Sequence, residues 1–137
     1  MSQPNIQMVD LIGQYEKIAP EIKARFDQIL STAAFINGPQ VKQFAANLSA
    51  YLNDARIIPC ANGTDALQIA MMALDLQPGD EVLVPAFTYI STVEVVALLD
   101  VKPVLVDVTP DTFEIDLENA AARITPQTKA IVPVHLY

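Results

Sequence analysis

Gly63, Thr64 and Asp65 stand where an apolar run gives way to a run of helical composition, in "CANGTDAL". Those residue types at such a junction suit an oxyanion. Gly63 lets a ligand come close to the main chain. Thr64 and Asp65 open the expected helix, so their N–H groups have no acceptor inside it and face whatever lies beyond its end. A helix start also presents roughly half a positive charge, and Thr64 adds a hydroxyl donor. A plain turn with Thr64 as the helix N-cap would use the same residues. The pattern is neither a Walker loop nor a GxGxxG fingerprint, so those two nucleotide classes lose support.

A second stretch, "PAFTYIST" from Pro85 to Thr92, offers Phe87 and Tyr89 with Thr88, Ser91 and Thr92. An aromatic face at a strand end can stack on a planar ring; one of the two aromatics is expected in the core. A phosphate cradle and a stacking ring on neighbouring loops would suit a flat, phosphorylated cofactor. Other candidates read as structural. Asp107 is expected to anchor a loop or cap a helix, and Asp111 and Asp116 to serve a turn and a cap. His135, the sole histidine, lies in the apolar "VPVHLY" and reads as a core residue. Cys60 has no basic neighbour in sequence to activate its thiol and reads as buried packing. No Cys/His/carboxylate spacing suggests a metal, and no Ser-His-Asp arrangement is supported.

The elements that would position these groups follow from periodicity and punctuation. Residues 1–14 read as an irregular lead-in. Tyr15 to about Ala33 reads as a helix, with Ile18, Ile22, Phe26, Ile29 and Leu30 on one face; Pro20 should divide it. "FINGP" breaks the pattern, and a second helix is expected from Pro39 to Leu52. "RIIPCA", "EVLVPA", "KPVLVDV" and "KAIVPVHLY" read as strands. Between them, "TDALQIAMMALDL", "STVEVVALLD" and "DLENAAARI" read as helices, the first apolar almost all round and hence buried, the last capped by Asp116. The order from residue 56 is βαβαβαβ with short, poorly alternating strands. That predicts an α/β three-layer sandwich with a mostly parallel sheet. The expected division is a helical segment over 1–55 and an α/β domain over 56–137. The run stops at the end of a strand with no covering helix, which raises the expectation of a longer protein.

Composition agrees with a folded domain. Of 137 residues 52% are apolar and 18% charged, which excludes a mainly disordered chain and suggests apolar surface meant for a partner. Eight basic against sixteen acidic residues give a net charge of −8, without a basic cluster, so neither nucleic acid nor an anionic membrane is an expected partner. One cysteine permits no internal disulfide, and a cytoplasmic setting is the default. The N-terminus lacks a signal-peptide pattern, and no stretch approaches the ~18 apolar residues of a membrane span.

"ANGTDALQIAMMAL", "PGDEVLVPAFTYISTVEVVALL", "KPVLVDVTPDTFEID" and "ITPQTKAIVPVHLY", with "VDLIGQY" and "INGPQVKQFAANLSAYL" before them, resemble the first third of the DegT/StrS-type sugar aminotransferases. The resemblance spans nearly the whole chain. It implies fold type I, the aspartate aminotransferase fold, of which this would be the N-terminal part of the large domain, and pyridoxal 5'-phosphate as cofactor. It implies that Gly63, Thr64 and Asp65 form the phosphate-binding turn and that Tyr89 stacks on the pyridine ring. It further implies a loop near the substrate entrance of a homodimer around Asn37 and Gly38. No catalytic role for His135 follows. The Schiff-base lysine and the carboxylate paired with the pyridine nitrogen would lie beyond residue 137; Lys102 and Lys129 match neither. By that resemblance the chain alone would be inactive, and the full enzyme would transfer an amino group, from glutamate, to a nucleotide-linked keto-sugar in polysaccharide or antibiotic-sugar synthesis. Two other readings stay open: a pyridoxamine-phosphate-dependent dehydratase of the same family, and a non-catalytic α/β phosphate-binding or structural module.

Overall fold

A computed structural model describes residues 8–136. The chain forms two units, Met1–Pro59 and Cys60–Tyr137. Residues 1–7 of the expected lead-in, and Tyr137 of the expected last strand, lie outside the described residues.

The first unit holds α1 (Leu11–Thr32) and α2 (Pro39–Tyr51). The α1 helix starts earlier than its apolar pattern suggested, because Asp10 caps it: its Oδ1 accepts from the Gly13 N–H at 2.9 Å. Pro20 does not divide α1. A proline removes one donor from the ladder, and in a helix of 22 residues the bonds on both sides carry the register past that gap. The connection to α2 turns on Asn37, at φ 48°, and Gly38. Gly38 is required for space: a Cβ there would lie 2.5 Å from the Ala34 carbonyl oxygen. Pro39 then opens α2 at its first turn, where a missing N–H costs nothing.

"RIIPCA" is not a strand. Pro59 has no N–H to give a ladder, and the sheet's neighbours are all supplied by later segments. The observed order in the second unit is therefore αβαβαβ: α3 (Gly63–Ala73), β1 (Glu81–Pro85), α4 (Ser91–Ala97), β2 (Lys102–Val106), α5 (Leu117–Ala122) and β3 (Thr128–Ile131). All pairings are parallel, in the order β2-β1-β3.

The central strand β1 is buried along its whole length, which is why its sequence shows valine and leucine without alternation. Its odd and even residues still serve different layers. Val82 and Val84 pack with Met71 of α3 and with Val95 and Val96 of α4. Leu83 packs on the other face with Val106 and with Ala120 of α5. The chain steps from β1 to β2 through α4, then back past β1 to β3 through α5. Opposite steps with one crossover hand put the two helices on opposite faces. The result is the expected three-layer α/β sandwich around a parallel sheet.

Two details differ from expectation. In α3 only Met71 is buried, the side chain that joins the β1 and α4 cluster; Ile69 and Met72 are exposed. The last strand ends at Ile131. The Val132 N–H still reaches the Leu83 carbonyl at 2.9 Å, and Pro133 stops the ladder there.

The amino edge of the sheet is closed by a polar cluster that the sequence patterns did not reveal. Glu81, at the start of β1, is 7% exposed. Its Oε1 accepts from Lys102 Nζ of β2 at 2.8 Å, and its Oε2 from the Thr125 hydroxyl at 2.6 Å. The Glu81 N–H donates to the Gln127 carbonyl at 2.9 Å. These hydrogen bonds, the Lys102 one first, hold the Glu81 carboxyl below its ordinary value of 4.5.

Candidate functional site

The α3 helix leads through a short turn into β1, on which it packs, and so runs opposite to it; its start, the loop after β1 and the loop after β2 therefore share the carboxyl edge. That edge is where ligands enter open α/β sheets. Gly63, Thr64, Asp65, Phe87, Tyr89 and Asp107 all belong to it.

At the start of α3 the cap is Asn62, not Thr64. Asn62 Oδ1 accepts from the Asp65 N–H at 3.0 Å, and its carbonyl accepts from Ala66 at 3.1 Å. Asparagine outranks threonine as a cap, so helical geometry begins one residue before Thr64 and places Gly63 and Thr64 in the first turn. The Asp65 N–H is thereby taken. The N–H groups of Gly63 and Thr64, and the Thr64 hydroxyl, have no hydrogen-bond partner among the described residues. Nothing fills the space beside Gly63: a Cβ built there meets no atom within 4 Å. The turn is thus an open pair of main-chain donors with a hydroxyl beside them, free of any plugging side chain.

Neither aromatic of the loop after β1 lies in the core, where one was expected: Phe87 is 49% exposed and Tyr89 more so, because the chain leaves the sheet at Pro85. The Phe87 ring packs on Phe113, centroids 5.3 Å apart and planes tilted by 31°. Tyr89 is 75% exposed, with its carbonyl accepting from the Thr92 N–H at 3.2 Å. Its phenol has no hydrogen-bond partner among the described residues. Ser91 and Thr92 are buried in the first turn of α4, so they support the loop and do not face solvent. Phe113 was missed by the sequence reading; its one signal was a large apolar residue inside an otherwise polar turn.

Asp107 is a loop anchor, as its position suggested. Its Oδ1 accepts from the Val108 N–H at 2.8 Å, its N–H donates to Asn119 Oδ1 at 3.2 Å, and its carbonyl accepts from Asp116 at 2.9 Å. Asp116 caps α5 through the Glu118 and Asn119 N–H groups. The two lysines near strands lie elsewhere: Lys102 pairs with Glu81, and Lys129 Nζ donates to the Pro126 carbonyl at 3.2 Å.

Two expectations of burial fail for one reason. Cys60 is exposed, its Sγ donating to the Asn62 carbonyl at 3.4 Å, and His135 is exposed as well. Both were assigned to strands, and neither strand extends to them. Among the described residues no group of three or more His, Cys, Asp or Glu side chains could hold a metal ion. No helix there is long and apolar enough to cross a membrane.

Comparison with known proteins adds identity to this geometry. The sequence pattern of the DegT/DnrJ/EryC1/StrS aminotransferase family matches residues 16–137. The chain is 47% identical over 132 residues to the UDP-2-acetamido-2-deoxy-3-oxo-D-glucuronate aminotransferase of Pseudomonas aeruginosa, covering 96% of this chain and 37% of that protein. The structure of S. venezuelae DesV in complex with a ketimine intermediate superposes with a TM-score of 0.89 at 35% identity, covering 98% of this chain and 36% of that one. That of ntda from Bacillus subtilis with bound cofactor PMP gives 0.83 at 40% identity, covering 88% and 28%. The chain thus spans little more than a third of the length of the curated relatives it matches, 37% of the Pseudomonas aeruginosa enzyme.

Proposed function

This chain belongs to the DegT/DnrJ/EryC1/StrS aminotransferase family, and we propose that it serves a pyridoxal 5'-phosphate-dependent aminotransferase. The substrate is a nucleotide-linked keto-sugar and the amino donor glutamate, in a cytoplasmic homodimer that builds sugars for polysaccharides. The relatives named for sugar aminotransfer, and the neighbour solved with PMP, support that reading. The single observation that carries it is the open turn at Gly63 and Thr64, with two N–H groups and a hydroxyl at a helix start that are unpaired among the described residues.

These residues fit the phosphate of the cofactor. Gly63 and Thr64 would hold a doubly charged oxyanion through their main-chain N–H groups, and the Thr64 hydroxyl would add a third donor. Asp65 contributes by locking the Asn62 cap, which fixes the direction of the two free donors. Tyr89 offers its exposed ring as a wall that would take the flat face of the pyridine. The buried Ser91 and Thr92 keep that wall at the head of α4. The bound cofactor supplies the electron sink and carries the amino group. No residue of this chain is assigned the catalytic proton transfers, since Lys102 and Lys129 are held by other partners. The loop at Asn37 and Gly38 is assigned to the substrate entrance. The helical stretch over 1–55 is read as the lead-in to a cofactor-binding α/β unit. Exposed Ile18, Phe26 and Leu30 along α1 suit a surface that meets a second copy.

Thr64→Ala in protein expressed from its complete reading frame tests the reading. Cofactor retention, followed by absorbance at the edge of the visible range, should fall. Unchanged retention would show that the turn is a cap and nothing more.

A further inference from the structure

The loop that carries Tyr89 is held by little of its own. The Ala86 N–H donates to the Val106 carbonyl at 2.8 Å, and the next main-chain tie is the Tyr89 carbonyl accepting from Thr92 at 3.2 Å. Between those anchors, residues 87 and 88 make no hydrogen bond among the described residues. Phe87 packs its ring against Phe113.

Phe113 sits in a turn built to present it. Thr109 N–H donates to the Glu114 carbonyl and Phe113 N–H to the Thr109 carbonyl, both at 2.9 Å. The Thr109 and Thr112 hydroxyls lie 2.6 Å apart, and Val108 and Ile115 bridge in antiparallel fashion below. Within that turn Phe113 has φ 57°, a left-handed conformation that a bulky side chain rarely adopts. Glycine or asparagine would suit the backbone better. The turn thus holds a large aromatic at a backbone position that does not favour one, with its ring against Phe87, two residues from Tyr89.

We propose that Phe113 is a positioning residue: through Phe87 it sets the pose of the Tyr89 ring. It rests on the reading of Tyr89 as the stacking wall, and it adds a residue from the β2 loop that the sequence places in an ordinary turn. The two loops belong to adjacent strands whose following helices lie on opposite faces of the sheet, and the ring pair joins one loop to the other.

The test uses Phe113→Gly, which removes the ring while relieving the backbone, and Phe113→Tyr, which keeps the ring. Both are made in protein from the complete reading frame labelled with 3-fluorotyrosine. The Tyr89 fluorine resonance is assigned by its disappearance in Tyr89→Phe. Phe113→Gly should move that resonance without any cofactor present and raise the pyridoxal phosphate dissociation constant by about three- to ten-fold; Phe113→Tyr should restore both. In a Tyr89→Ala background the same glycine substitution should add nothing to the loss of affinity. An unmoved resonance, or an affinity loss that persists without the Tyr89 ring, overturns the proposal. A wild-type protein that takes up no pyridoxal phosphate sinks the functional reading, and the fluorine signal still decides whether Phe113 sets the pose.

Discussion

The two edges of the sheet are built on opposite principles. At the amino edge Glu81 is saturated: one oxygen on Lys102, the other on Thr125, its N–H on Gln127. No buried side-chain polar atom among the described residues lacks a partner. At the carboxyl edge the pattern reverses. Two main-chain donors and a hydroxyl stand open at α3, and Tyr89 presents its ring to solvent. Unmade hydrogen bonds at an exposed helix start cost little, because water fills them. They become a gain when a charged ligand arrives. One edge therefore serves stability and the other binding, and the strands keep the two apart.

The largest effect should come from the residue both edges depend on. Leu83, at the middle of β1, is 1% exposed. Leu83→Ala should cost about 2–5 kcal/mol of stability, the range for a buried leucine whose cavity cannot collapse. Urea denaturation measures it. A loss well under about 1 kcal/mol would mean that β1 is not the common support.

Thr64→Ala separates the edges. A hydrogen bond to a charged group is worth about 1.5–3 kcal/mol, so the cofactor dissociation constant should rise by roughly ten-fold or more. The melting midpoint of cofactor-free protein should stay where it is. A large drop in that midpoint, with affinity intact, would assign the carboxyl edge to stability after all.

How much of this division was legible in the sequence depends on the range of the signal. The α2 start and the Asp116 cap were readable because each is written in consecutive residues, and the α3 start to within a residue, though its cap is Asn62 and not Thr64. So were β1 and β2, whose valine-rich runs stand between clear turns. The placing of Gly63 on one edge with Tyr89 was reached from a strand, "RIIPCA", that does not form; it is the packing of α3 on β1 that puts Gly63 there. Three things were not readable. Glu81, Lys102 and Thr125 are far apart in the chain, and only strand register brings them together. The ring pair of Phe87 and Phe113 depends on a turn whose sequence, "TPDTF", looks polar and ordinary. The strand assigned to "RIIPCA" failed because an apolar run reports a preference for burial, not the presence of a neighbour to pair with; Cys60 was misplaced with it.

Tyr89→Ala should have a smaller effect than Thr64→Ala, about 1 kcal/mol or somewhat more in cofactor binding. A titration of the cofactor's absorbance gives the dissociation constant. If it does not change, the exposed ring is surface and the binding edge shrinks to the α3 turn.

The smallest effect, and the sharpest for the comparison, belongs to Glu81. Its carboxyl is held below the ordinary 4.5 by Lys102 and Thr125, so the folded chain binds that proton less readily than the unfolded one. The stabilising contribution is complete above the unfolded value and is lost as pH falls through the folded one. The urea midpoint should therefore decline on acidification from about pH 4.5 downward. Glu81→Gln should flatten that limb of the profile while leaving cofactor affinity at neutral pH untouched. Water still reaches the Lys102 end of the pair, 68% exposed, so the limb should be shallow. Were Glu81→Gln to change affinity at neutral pH, the two edges would be coupled through β1, and the separation of stability from binding would fail at its base.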